Sequence, residues 1–171
     1  MIPIKTYFTY FGGLFFMNEL KESAASKILR IILYIVFVAG IALVVTMPFL
    51  IDTYMDIFFD AYIVHAGYKI FITVFLMTVG ILGLFIVFQL IIMMRTIRKD
   101  PFVKRNVKSL NIIGTTAFII AVLFFAKCFL YITFLTLAFG ICLVILGLFA
   151  FTLANLFKKA VEYKEENDLT I

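Results

Sequence analysis

The chain contains no tryptophan, one histidine, two cysteines, three prolines and three serines. Each scarcity removes a class of function. A lone imidazole, His65, cannot build a bis-histidine haem site or the usual zinc ligand set. Cys128 and Cys142 both fall in apolar runs at a spacing that matches no metal motif. They read as small packing residues, not as a disulfide framework. With so few serines no nucleophile set assembles, and no phosphate loop, nucleophile elbow, HExxH or CxxC motif occurs. A protein that is not an enzyme and carries no cofactor or metal is expected. Acidic residues number 10 of 171, and none lies inside a long apolar run. Proton-coupled transporters need a group that titrates near the midplane, so that class loses support.

What fills the chain instead is apolar surface: 65% of residues are hydrophobic, 22 are phenylalanine, and the mean hydropathy is +1.17. Soluble domains carry about 45–50% apolar residues, and a chain beyond that range cannot clothe its own surface in water. Lipid is the solvent this composition fits. The expected fold is all-α: a polytopic membrane protein with a bundle of four transmembrane helices.

Four spans follow from the hydropathy, at about 28–51, 68–94, 110–130 and 134–157. The first would rise about 36 Å as a helix, enough to cross a bilayer with some tilt. Pro48 falls near its end, where a kink or early stop is tolerated. The stretch from Leu110 to Phe157 would make about 72 Å of continuous helix, more than twice the hydrocarbon thickness. It must fold into a hairpin, with its turn between Lys127 and Thr136.

Three polar regions complete the layout. Residues 1–30 begin with an aromatic stretch broken by Gly12-Gly13, which reads as an interfacial segment rather than a signal peptide. Asp52, Asp56 and Asp60 recur every four residues and share one face of an amphipathic segment over 52–67. Residues 158–171 form a polar tail.

The net charge of +5 could suggest nucleic acid, but the basic residues flank apolar runs, where lipid head groups lie. No direct nucleic-acid contact is expected. Of the 15 Lys and Arg, four precede the first span, six lie between the second and third, and three are in the tail. Only Lys69 and Lys127 fall on the other side. This asymmetry predicts both termini in the cytoplasm of a bacterial inner membrane, with Lys127 marking the outer head groups.

Small residues mark the packing faces. Gly114, Ala117 and Ala121 share one face of the third span. Thr136, Gly140, Gly147, Ala150 and Ala154 do so in the fourth. Such faces let helix backbones approach closely in lipid. They should meet each other or the first two helices, and they leave a homo-oligomer open. Gln89, Thr73, Thr78, Thr115, Thr116, Thr152 and Asn155 are expected to bond between helices.

Asp100-Pro101 is a helix-start signal for the third helix, followed by Phe102, Asn106, Leu110 and Ile113. The chain ends Glu165-Glu166-Asn167-Asp168-Leu169-Thr170-Ile171. With four spans in about 170 residues, these stretches resemble the bacterial domain-of-unknown-function 2975 family of membrane proteins, from about Ile28 onward. Members are often encoded beside a small Cro/CI-type helix-turn-helix regulator, so the resemblance implies a membrane regulator or anti-repressor that partners such a protein. The residues suggest a docking surface of Pro101, Phe102 and Asn106 with the acidic tail through Glu166, Asp168, Thr170 and Ile171. Two other classes stay open: a small transport or permeation protein, and an immunity protein against a membrane-active toxin.

Overall fold

A computed structural model describes residues 24–58, 66–97, 102–130 and 134–168. The aromatic start of the chain, Asp60, His65 and Pro101 lie outside the described residues, as do Thr170 and Ile171. Four helices account for nearly all that is described: α1 (Ala24–Phe58), α2 (Ala66–Ile97), α3 (Lys104–Leu130) and α4 (Phe134–Asp168). Each is long and apolar enough to cross a membrane. Hydrocarbon offers no partner to a bare peptide group, so a chain this apolar must satisfy its backbone within each segment, and the helix does that.

The expected hairpin is present: α3 ends at Leu130 and α4 starts at Phe134. Two boundaries differ from the sequence reading. Pro48 does not stop α1, which runs ten residues beyond it and takes in Asp52 and Asp56. Proline forfeits one backbone hydrogen bond but leaves the turns around it intact, which a lipid-embedded helix tolerates. Of the expected surface segment over 52–67, residues 52–58 belong to this helix, and 59–65 lie outside the described residues. The third helix starts at Lys104 rather than Pro101, because Phe102 and Val103 precede it in non-helical backbone. There the Phe102 ring packs on Phe157 of α4, a contact that the Asp-Pro signal does not register.

The helices run up, down, up and down. Arg95 near the end of α2 reaches Tyr34 near the start of α1, while Lys69 pairs with Asp52 at the opposite end. Gln89 meets Ser109, and Phe75 meets Phe124. Among the described residues, backbones come within 8 Å only between sequence neighbours: α1 with α2, α2 with α3, and α3 with α4. The bundle is therefore an open row, in which α1 and α4 do not close against each other.

Glycine sets the closest approaches. A Cβ added at Gly147 would lie 2.8 Å from the Phe118 ring and 3.3 Å from the Gly114 carbonyl. One at Gly114 would lie 3.1 Å from Phe151. The small faces of α3 and α4 thus meet each other, with Ala117, Ala121, Gly140, Ala150 and Ala154 buried along the same seam. A second glycine seam, unanticipated in the sequence, joins α1 to α2. There Gly40 faces Leu84 and Gly80 faces Val44, at 2.8 and 2.7 Å for an added Cβ. At the Asp52 end, Ile51, Ile72 and Phe75 make a small buried cluster, against which Leu123 and Phe124 of α3 also pack.

The threonines behave differently from expectation. Thr73, Thr78, Thr116 and Thr152 each donate to the carbonyl four residues earlier on their own helix. A hydroxyl within reach of its own preceding turn finds that acceptor with no help from a neighbour. Gln89 does bond between helices, accepting from the Ser109 hydroxyl at 3.3 Å in a buried setting.

Two outcomes check this packing. Gly147→Leu should destabilise the α3–α4 seam by about 1–3 kcal/mol in unfolding from mild detergent. Gly83→Leu, where nothing lies within 4 Å of the added Cβ, is the matched control and should cost far less. In a double-mutant cycle, Gln89→Leu and Ser109→Ala should couple by roughly 0.6 kcal/mol, the usual worth of such a bond in a membrane. Strict additivity would remove the bond from the account.

Candidate functional site

Polar chemistry gathers where α1 and α3 begin and α2 and α4 end. Lys27, Arg30 and Arg95 lie there with Lys104, Arg105, Lys108, Lys158 and Lys159, so this is the basic end of the molecule. Arg95 donates from Nε and Nη2 to the Tyr34 hydroxyl at 3.0 and 2.6 Å, and its guanidinium also lies 5.8 Å from the centre of that ring. This ties the α1–α2 pair together at its polar rim. Tyr34 gives no signal in the sequence beyond being a polar tip in an apolar run.

The α3–α4 pair carries the residues singled out for docking. Phe102 precedes α3 and is 43% exposed. Its ring packs on Phe157, with centroids 5.9 Å apart. Next to it Lys104 Nζ pairs with Glu165 at 2.8 Å. The two side chains are 78% and 53% exposed, so the pair is solvent-screened and contributes little to stability. The last turns of α4 run past the apolar span and place Glu162, Glu165 and Glu166 in the open. Glu162 and Glu166, four apart, share a face, while Glu165 turns toward α3.

Not every residue proposed from the sequence joins this surface. The structure brings Phe102 together with Phe157 and, through Lys104, with Glu165. Asn106 is fully buried, with its backbone N–H donating to Val103 at 3.0 Å in the first turn of α3. It supports the helix start from inside and offers no surface to a partner, contrary to the expectation for this residue. No local motif pairs Phe157 with Phe102, because the two are brought together only by the hairpin of α3 and α4.

At the opposite end Lys127 does more than mark a boundary. Its Nζ donates to Thr136 Oγ1 at 3.2 Å and lies 5.5 Å from the centre of the Phe75 ring. It therefore links α3 to α4 across the hairpin and faces α2. Cys128 and Cys142 are free thiols, the second of them exposed on the apolar surface. Among the described residues, no group of three or more His, Cys, Asp or Glu is placed to hold a metal ion.

A second polar feature lies on another side of α3. Lys104, Lys108, Asn111 and Thr115 line a shallow groove with a volume of about 400 Å³, alongside Val107 and Ile112.

Comparison with curated proteins and with solved structures yields no match. Comparison with protein families does: residues 60–171 match DUF2975, described as a protein of unknown function. The resemblance read from the sequence begins at about Ile28, whereas the match begins at residue 60, so α1 lies outside it. What α1 offers is hydropathy, which any span shares, whereas the basic loop and tail carry the more particular motifs. The match takes in α2, α3 and α4 and more than half of the chain, and the protein therefore belongs to the DUF2975 family.

Proposed function

We propose that this protein is a non-enzymatic regulator of the bacterial cytoplasmic membrane that holds a small helix-turn-helix protein at its basic end. The single observation behind the reading is the half-exposed Phe102 ring, seated on Phe157 beside the projecting acidic end of α4. A half-exposed aromatic ring already held against Phe157 is a suitable anchor, because little side-chain freedom is left to lose on binding. Glu162, Glu165 and Glu166 lie within one short stretch of α4, where Glu165 pairs with Lys104 and Glu162 with Lys158. The basic surface of a DNA-binding protein would exchange with these exposed, weakly held lysines.

The reading places the basic end in the cytoplasm, on the strength of the Lys and Arg asymmetry around the spans. Sequestration then works by mass action: regulator bound at the membrane is withdrawn from DNA, and modest affinity suffices. A permeation role draws less support, since the helices stand in an open row with backbone contacts only between sequence neighbours among the described residues.

The test is a crosslinked pull-down of the tagged full-length protein from native membranes, read by mass spectrometry. A small helix-turn-helix protein should be enriched. Phe102→Ala combined with removal of residues 165–171 should lower that recovery about thirtyfold, the weight of an anchor worth roughly 2 kcal/mol, with insertion unchanged. Recovery of this chain alone, with no cytosolic partner, would reject the regulator reading.

A further inference from the structure

The groove on α3 holds an arrangement that packing within the chain does not explain. Lys104, Lys108, Asn111 and Thr115 follow at steps of four, three and four, so they form one stripe, and all four are exposed. That stripe lies on a different side of α3 from the seam with α4, which Gly114, Ala117 and Ala121 occupy. Measured along the helix axis from Lys104, Lys108 lies about 6 Å further in, Asn111 about 10 Å and Thr115 about 16 Å. The stripe is a polar ladder descending from the head-group level into an otherwise apolar span.

Its upper rung carries surplus positive charge. Lys104 has Glu165, but Lys108 has no carboxylate within ion-pair distance among the described residues. Two ammonium groups one turn apart repel each other unless an anion lies between them.

The lower rungs have unused hydrogen-bonding capacity. Seven of the nine described threonines turn their hydroxyls back onto their own helix: Thr46, Thr53, Thr73, Thr78, Thr96, Thr116 and Thr152. Thr136 accepts from Lys127 instead. Thr115 does neither, and among the described residues neither its hydroxyl nor the Asn111 amide makes a hydrogen bond. An amide left bare in hydrocarbon is costly, so the occupant of this groove must bring acceptors below the anion.

We propose that this groove binds the head group of an anionic phospholipid. The phosphate sits between Lys104 and Lys108. The ester carbonyls a few ångströms deeper accept from the Asn111 amide, and the Thr115 hydroxyl donates one turn below it. An acyl chain follows the apolar sides of the groove at Val107 and Ile112. A free phosphate would satisfy the lysines and leave the lower rungs bare. Of the anions that meet a bilayer surface, a phospholipid carries charge, carbonyls and chain in that order of depth.

The experiment is native mass spectrometry of the full-length protein, released from detergent after equilibration with phosphatidylglycerol or with phosphatidylcholine. One phosphatidylglycerol per chain should be retained about thirtyfold over phosphatidylcholine, as two basic groups at an anionic surface imply. Lys108→Gln should cut that retention about fivefold, with Lys108→Arg keeping it. Asn111→Leu should weaken retention without changing the helical circular dichroism, since the side chain is exposed. Lys159→Gln removes the same charge from the same end, outside the groove, and should leave retention unchanged. Equal retention of the two lipids would overturn the proposal, as would equal losses in the Lys108 and Lys159 variants. Displacement of phosphatidylglycerol by excess inorganic phosphate would also overturn it, making the groove a soluble-anion site. The docking surface at Phe102 stands or falls separately, because none of these variants touches it.

Discussion

Everything in this structure follows from a solvent that offers the backbone no hydrogen-bond partner. In hydrocarbon each segment must satisfy its own peptide groups, so the apolar runs form helices and polar side chains are drawn into the same task. Most threonine hydroxyls fold back on the preceding turn. The same solvent removes the usual reason for helices to associate, since lipid tails are as apolar as leucine. What holds the row together is therefore local and specific: glycine seams, the bond from Ser109 to Gln89, and aromatic contacts such as Phe75 on Phe124.

These contacts are unevenly shared. The crossing of Gly114 and Gly147 brings α3 and α4 together along most of their length, and it aligns their ends. That alignment is what sets Phe102 on Phe157 and Lys104 beside Glu165. The other half of the row is looser: only 6% of the membrane-length window of α1 or α2 is buried inside the chain, against 28% and 22% for α3 and α4. The best-packed pair also lies wholly within the part of the chain that matches the family, and α1, at the edge of the row, does not.

Much of this was legible in the residues. Hydropathy marks four spans, length requires a hairpin whose turn the polar residues between Lys127 and Thr136 locate, and the small-residue periodicity of the third and fourth spans marks a packing face on each. The faces do not name their partners, however, because any small face can accept any ridge. That α3 meets α4 there, while α1 and α2 use Gly40 and Gly80, depends on which backbones cross where. Asn106 shows the limit most plainly. One turn beyond Phe102, in a polar loop, its sequence context says surface, and only its position in the first turn of a packed helix says core.

The sequence by itself determined the solvent, the number of spans and the gathering of basic charge at one end, because hydropathy and charge add along a chain without reference to what it touches. The tertiary structure alone decided the open row, the seating of Phe102 on Phe157 and the exposure of the polar stripe from Lys104 to Thr115. Each of these depends on which sides of a helix its neighbours cover, and local periodicity describes a helix face without saying what will lie against it.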